Sequence, residues 1–237
     1  MAEADWTVLG GALGVASIAR GVTSGEPRPS GGGNFLYAFA SKEVTTGASG
    51  LIVNKTNFNP TPVNTGGSIR SAIKRGVSTG EPGYSAFIFS GLQGSNVADN
   101  AYMLGLSDEE PSFIVLRKGD LVSGISDAPV GSAGILRRGT EAVDPDTWLH
   151  LRLDQIVNLN GDVILKAYQN DIANGGSVGA PNWVEIPGIT DFVDDALGIA
   201  SGSVPYTNSR FGFGMQINEE AGRRAYFDHI EVLRQLP

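Results

Sequence analysis

Alternating apolar and polar residues give the clearest structural signal of this sequence, over residues 148–154. Three leucines fall on one face of a strand there, namely Leu149, Leu151 and Leu153. Asn160-Gly161 follows, and both residues tolerate the positive φ of a tight hairpin turn. The alternation resumes beyond this turn, so residues 156–168 predict an antiparallel hairpin.

The C-terminal part predicts two further strands. Over 211–217 the large side chains fall on one face and the glycines mostly on the other, which is typical of a strand under a closely packed layer. Residues 225–233 predict a closing strand. Short apolar runs between Gly, Pro, Asn and Ser predict the other strands: 35–40, 50–53, 85–90, 101–106, 112–116 and 134–137. One short helix is expected over 190–198, with Thr190 as its cap and Gly198 at its end.

This succession of short strands predicts an all-β fold, a sandwich of two antiparallel sheets with at most one short helix. Residues 1–19 lack a core pattern, so we expect an N-terminal arm there and a single β-sandwich domain over 20–237. The segment at 20–27 returns in similar form at 75–82. We interpret it as a strand-and-turn unit used twice; the alternative is a pair of loops that present an arginine and a glutamate to a partner.

Composition narrows the function classes. Apolar residues make up 41%, enough for a sizeable core, and the absence of cysteine excludes disulfides, thiolate metal sites and a cysteine nucleophile. A net charge of −8 without a basic run disfavours nucleic acid as a partner. The first charged residues are acidic and the apolar stretch at 8–19 is short, so we expect no secretory signal and no membrane partner.

Candidate catalytic groups are few. Residues 175–179 fit G-x-S-x-G, but no strand–turn–helix context surrounds the serine. His150 and His229 both fall in predicted strands, where a structural role is expected. Asp228 and Glu231 would point to opposite faces of a regular strand, which disfavours a pair of catalytic carboxylates. We therefore expect no enzymatic activity and no catalytic residue.

No cofactor is expected, and calcium is the one metal to consider, because it binds carboxylate and carbonyl oxygens. The candidate loops are Asp144-Pro145-Asp146 and Asn170-Asp171 with Asn174. Turn formation by Asp and Asn is the alternative interpretation of both loops.

The second half of the chain resembles concanavalin-like (laminin-G-like) jelly-roll domains. The resemblance covers about residues 147–234 and rests on the sequences WLHLRL at 148–153, ILKAYQN at 164–170, FGFG at 211–214 and AYFDHIEV at 225–232. It implies a jelly-roll fold, and the acids of related glycosidases have no matching positions here. The whole chain also resembles virion proteins of tailed bacteriophages in its acidic start, its glycine-rich body and its lack of cysteine.

The first functional hypothesis is a non-enzymatic bacteriophage structural protein, such as a capsid decoration or tail component, assembled in the host cytoplasm and located in the virion. Its partners would be other virion proteins and further copies of itself. The candidate partner contacts are Trp6, Arg20, Glu26, Arg75 and Glu81. The alternative is a lectin-like module that binds glycans through Trp148 and Trp183, although Trp183 also suits the edge of a core. A glycan-active hydrolase or lyase is the third hypothesis.

Overall fold

The structure, a computed structural model, describes residues 6–9, 15–20, 36–41, 49–55, 66–75, 84–94, 98–144, 147–198, 203–208, 210–217 and 224–235. This part of the chain forms β-strands and no α-helix. The strands are β1 (Trp6–Leu9), β2 (Val15–Arg20), β3 (Leu36–Ser41), β4 (Ser49–Lys55), β5 (Gly66–Arg75), β6 (Tyr84–Ser90), β7 (Asn100–Leu106), β8 (Ser112–Asp120), β9 (Ile135–Val143), β10 (Leu149–Val157), β11 (Val163–Asn170), β12 (Trp183–Glu185), β13 (Phe192–Asp194), β14 (Phe211–Ile217) and β15 (Arg224–Gln235).

The strands form two sheets. A seven-stranded sheet has the order β1-β4-β14-β6-β7-β8-β9, and an eight-stranded sheet has the order β12-β11-β10-β5-β15-β3-β2, with β13 also paired to β11. The neighbouring strands of both sheets run antiparallel. The predicted two-sheet antiparallel jelly-roll sandwich is confirmed.

The main core lies between the sheets, because each strand sends alternate side chains inward. Leu151 and Leu153 of β10 are fully buried there, as the leucine alternation predicted. Phe213 of the seven-stranded sheet meets Phe227 of the eight-stranded sheet, with ring centroids 4.8 Å apart. The inner faces of β14 and β15 therefore pack directly against each other.

The prediction of a short helix over 190–198 is wrong. Phe192–Asp194 is strand β13, which runs antiparallel to the first half of β11. Phe192 and Asp194 are buried while Val193 between them is exposed, so this segment follows the period of a strand. Phe192 joins the core and Asp194 pairs with a buried lysine, and these tertiary contacts outweigh the local helix signal.

The N-terminal segment contributes two strands. Trp6–Leu9 pairs with β4 at an edge of the seven-stranded sheet, and Val15–Arg20 pairs with β3 at an edge of the eight-stranded sheet. The division into an arm, 1–19, and a domain, 20–237, stays a prediction.

The outer face of the seven-stranded sheet is covered by the chain's own segment 121–134. Leu121 and Ile125 of this segment pack on apolar side chains of β6, β7 and β8, where they form a second core. The buried Arg117 holds the segment: its Nε donates to the carbonyl of Ala133 at 2.9 Å, and its Nη1 donates to the carbonyl of Gly124 at 2.7 Å. This sheet therefore offers no open outer face over β6 to β9.

A buried ion pair links the two sheets at one end of the core. Nζ of Lys118 lies 2.7 Å from Oδ2 of Asp194, with 4% and 0% of the two side chains exposed. The hydroxyl of Tyr102 donates to the same carboxylate and accepts a hydrogen bond from the backbone N–H of Tyr206 at 2.8 Å. Burial raises the pKa of Tyr102, so this phenol stays a donor. Every charge in the cluster has a partner, as a buried ion pair requires.

Candidate functional site

Over β12, β11, β10, β5 and β15, the side of the eight-stranded sheet that faces away from the core carries polar and aromatic side chains, and we call this area the polar face. On β10 the polar residues His150, Arg152 and Asp154 alternate with the core leucines. Strand register aligns one row across β12, β11, β10, β5 and β15, namely Glu185, Tyr168, Arg152, Arg70 and Glu231. The polar face is thus built by residues from distant parts of the chain.

A β-bulge in β15 places two carboxylates on this face. The register shifts between Asp228, which pairs with Ala72, and Glu231, which pairs with Arg70. His229, within the bulge, has a φ of 50°. The sequence interpretation put Asp228 and Glu231 on opposite faces of a regular strand. That expectation is wrong, because the bulge adds a residue and turns both toward the polar face.

Arg70 and Glu231 form a close ion pair beside the bulge. Nε and Nη2 of Arg70 both donate to Oε2 of Glu231, at 3.1 and 2.6 Å. The Arg70 side chain is 21% exposed and that of Glu231 is 36% exposed. The pair is therefore open to a ligand and oriented before the ligand arrives.

Arg152 is held between a carboxylate and two rings. Its Nε and Nη2 donate to Oδ1 and Oδ2 of Asp154, each at 2.7 Å. Its guanidinium lies 5.5 Å from the Tyr168 ring centroid and 6.0 Å from that of Trp183, within reach of cation–π attraction. Burial raises the pKa of Asp154, against the lowering effect of Arg152.

Asn170 determines which nitrogen of the neutral His150 ring carries the proton. Nδ2 of Asn170 donates to the carbonyl of Ser177 at 3.1 Å, and Oδ1 accepts from the N–H of Asn182 at 2.7 Å, so the amide orientation is determined. The same Nδ2 lies 3.5 Å from Nδ1 of His150. Because Nδ2 is a donor, Nδ1 is the acceptor, and the proton of the neutral ring is on Nε2.

Trp183 packs on His150 with ring centroids 4.8 Å apart. His150 is 3% exposed, and burial lowers its pKa to about 4, with smaller contributions from Arg70 and His229. The ring is therefore neutral at pH 7. Its buried Nε2 has no hydrogen-bond partner among the described residues.

Both tryptophans of the lectin-like alternative lie on the polar face. Trp183 stands on β12 opposite Asn170. Trp148, half-buried just before β10, packs near Tyr226 with ring centroids 6.4 Å apart. The polar face therefore has one aromatic cluster beside His150 and another beside β15.

The candidate partner contacts are not brought together in the described part of the chain. Trp6 and Arg20 lie on β1 and β2 in different sheets, and their side chains are outside the description. Glu26 and Glu81 lie outside the described residues.

Arg75 differs from the expectation that it faces a partner. Its side chain is 2% exposed. It donates to the carbonyls of Tyr84 and Ser107 at 3.0 and 2.7 Å and lies 2.8 Å from a carboxylate oxygen of Glu110. The guanidinium thus ties the end of β5 to the start of β6 and to the loop after β7, instead of projecting outward.

The G-x-S-x-G segment at 175–179 lies in the loop between β11 and β12. The N–H of Ser177 donates to the carbonyl of Ala180 at 3.1 Å, and the N–H of Ala180 donates to Oγ of Ser177 at 3.0 Å. A strand, β12, follows this turn where a nucleophile elbow needs a helix. The serine therefore takes part in a local turn.

The calcium candidates form similar turns. Oδ1 and Oδ2 of Asp171 accept hydrogen bonds from Asn174, at 3.1 and 2.6 Å. Oδ2 of Asp144 accepts from the Thr147 hydroxyl at 3.2 Å, while residues 145–146 are outside the description. No group of three or more His, Asp or Glu that could hold a metal occurs among the described residues. The calcium interpretation stays a prediction.

Sequence reasoning missed Arg70, Arg152 and Tyr168 as site residues. β5 was not predicted at all, because its two large apolar residues, Ile69 and Ile73, are separated by small and polar ones. The alternation on β10 already placed Arg152 opposite the core leucines, and that was the signal available.

Neither a protein-family model nor a curated protein matches the sequence. Among solved structures, the chain is similar to the carbohydrate-binding module CBM66 from Bacillus subtilis, with 13% identity, 97% of this chain and 95% of that chain covered, and a TM-score of 0.48. It is similar to the carbohydrate recognition domain of Emp47p, with 12% identity, 98% and 89% covered, and a TM-score of 0.48. It is also similar to a carbohydrate esterase of the Shiga toxin-encoding bacteriophage phi24B, with 16% identity, 96% and 88% covered, and a TM-score of 0.45.

The described residues include no helix that is long and apolar enough to span a membrane.

Proposed function

We propose that this protein is a glycan-binding module that holds its ligand on the polar face and does not turn it over. The observation that carries the proposal is Arg152, locked by Asp154 between the rings of Tyr168 and Trp183. Ligand sites combine aromatic surface with a few precisely placed polar groups. This cluster provides both on a sheet face that the described chain leaves partly exposed.

Preorganisation supports the proposal. Both arginines of the central row are paired with carboxylates, so a ligand meets side chains whose positions are already set. Less conformational entropy is then lost on binding. Sugar hydroxyl groups both accept and donate hydrogen bonds. A guanidinium donates to them and a carboxylate accepts from them, so a paired arginine and carboxylate complement both roles.

The contrast between the two sheets supports the same face. The outer face of the seven-stranded sheet is occupied by segment 121–134 over β6 to β9. The polar face has rings and ion pairs where the other sheet has an apolar layer. Where the side chains of both outer faces are described, the rings and ion pairs are on the polar face.

A glycan array followed by calorimetry tests the proposal. The native protein should bind at least one glycan, and Trp183→Ala should weaken that binding by about 30-fold, as expected for a tryptophan at the centre of a binding site. Leu159→Ala is the matched control, because Leu159 is 75% exposed at the β10–β11 hairpin and away from the polar face. Circular dichroism would check that both variants fold.

An array without binding, or a Trp183→Ala variant that binds like the native protein, would contradict the proposal. The absence of turnover is checked in the same samples: chromatography after long incubation should recover the bound oligosaccharide unchanged. Cleaved or de-esterified products would show an enzyme instead.

The virion hypothesis stays a prediction. Its contacts lie on residues whose side chains are not described, apart from the buried Arg75. The mass of the native complex tests the virion hypothesis directly. A large assembly would support a coat component, and a monomer would favour the glycan-binding module.

A further inference from the structure

Arg70 keeps part of its hydrogen-bonding capacity free. Its Nε and Nη2 are engaged by Glu231, whereas Nη1 makes no hydrogen bond within the described part of the chain. A guanidinium presents its donors in a planar fork that suits carboxylate oxygens. Arg70 is therefore anchored on one side and able to bind an anion on the other.

His150 provides a second unmet donor on the same face. Asn170 holds its Nδ1 as an acceptor, so Nε2 carries the proton, and this buried Nε2–H meets no acceptor among the residues that the structure describes. Buried donors in native proteins are nearly always satisfied, so an unsatisfied one marks a place where a ligand oxygen or a water belongs. A ligand that supplies the acceptor removes the cost of leaving it unpaired.

The two donors are neighbours across the β5–β10 pair. His150 pairs with Ala72 and Arg152 pairs with Arg70, so Arg70 and His150 are diagonal neighbours on one face. Ala72 has the smallest side chain of this part of the face and lies between His150 on β10 and Asp228 on β15. A methyl group is thus the side chain that stands between His150 and β15.

Arg70 supplies the positive charge at this point. Burial is the largest cause of the lowered pKa of His150, and Arg70, on the same face, lowers it further. The sequence has two histidines in all, and both are at this point of the sheet. β15 contributes two carboxylates here: Glu231, paired with Arg70, and Asp228, whose Oδ1 accepts from the backbone N–H of His229.

We propose that the glycan bound on the polar face is acidic, and that its carboxylate binds between Nη1 of Arg70 and Nε2–H of His150. The inference rests on the proposed function. Trp183 packs on the His150 ring, so a sugar that stacks on Trp183 lies beside one of the two donors. The ligand class is then a uronic or sialic acid glycan rather than a neutral one.

Calorimetry at physiological salt tests this inference, with a panel of uronic and sialic oligosaccharides, each compared with its carboxyl-reduced, neutral counterpart. The native protein should bind an acidic form at least about tenfold more tightly than the reduced form, as expected for a hydrogen bond to a charged group. His150→Phe keeps a ring against Trp183 but has no donor. Arg70→Lys keeps the charge beside Glu231 but loses the fork. Each variant should lose most of the preference.

Lys166→Gln is the matched control, because Lys166 is a partly exposed cation of the same face, opposite Asp154 and paired with Asp191 at 2.8 Å. It should retain the preference. Equal binding of acidic and reduced forms would overturn this inference and leave the glycan-binding module standing. An equal loss in Lys166→Gln and in the two site variants would also overturn it, because the preference would then be diffuse attraction. Binding of neither form would overturn this inference as well, whereas a glycan array without any binding would contradict the proposed function itself.

Discussion

Arg70 and Glu231 are 161 residues apart in the sequence, yet Nη2 of the arginine lies 2.6 Å from Oε2 of the glutamate. The pair exists because a bulge in β15 shifts Glu231 into register with Arg70. Without the extra residue Glu231 would point toward the core, and Arg70 would lose the carboxylate that orients it. The bulge thus determines which side chains of β15 lie on the polar face, and bulges are common next to functional sites.

The ion pair between Lys118 and Asp194 should be a main support of the inter-sheet contact. Lys118→Met leaves a buried carboxylate without its cation, so we expect a loss of about 3–5 kcal/mol in the free energy of unfolding. Adding Asp194→Asn removes the uncompensated charge while keeping an acceptor for Tyr102, so the double variant should recover part of the loss. Urea unfolding measures the free energy of unfolding of the single and the double variant. A loss below about 1 kcal/mol in the single variant would contradict this role.

Gly105 should tolerate no side chain. A Cβ there would overlap the carbonyl oxygen of Ala86 and lie 2.5 Å from Cα of Phe87, both on the neighbouring strand. Gly105→Ala should therefore destabilise the fold by about 2 kcal/mol or more, because backbone atoms of β6 must move. The control is Gly179→Ala, where nothing lies within 4 Å of the added Cβ. Equal melting temperatures for the two variants would show that β6 and β7 are not this close.

The sequence predicted the structure well where the signal was local. Alternating leucines predicted β10, and Asn-Gly predicted its hairpin with β11, because both signals are local. The end of β5 gave the opposite result: the repeat of segment 20–27 at 75–82 made Arg75 a candidate partner contact. Its guanidinium is instead buried against carbonyls that only the folded chain brings to it.

The site was harder to predict than the fold for the same reason. Trp148 and Trp183 were candidates because exposed aromatic rings can stack on sugars. Their neighbours on the polar face come from β5, β11 and β15, and a single sequence carries no signal for that pairing. The bulge at His229 reversed the facing of Glu231, and nothing in the local sequence of β15 marks it.

His150 should make the fold less stable in acid. Its pKa is about 4 in the folded protein and 6.5 as a free side chain. Above pH 6.5 neither state binds the proton, so His150 has no effect on stability there. Between 6.5 and 4 the unfolded state takes up a proton that the folded state does not, so stability falls as the pH drops and levels off below about pH 4.

Between pH 6.5 and pH 4, His150 should lower the free energy of unfolding by about 3 kcal/mol in total. Urea unfolding between pH 7 and pH 4 measures it as the difference between native protein and His150→Phe, which lacks this titration. Parallel pH profiles of the two proteins would contradict the neutral, buried state of His150.

The most direct test of the glycan-binding account is a titration of the 15N-labelled protein with its best-binding oligosaccharide, followed by amide chemical shifts. The account predicts that the largest shifts fall on Arg70, Arg152, Tyr168 and Trp183, with none in segment 121–134 or in the hairpin around Leu159. Shifts centred on the seven-stranded sheet, or on the hairpin, would contradict the polar face as the binding site.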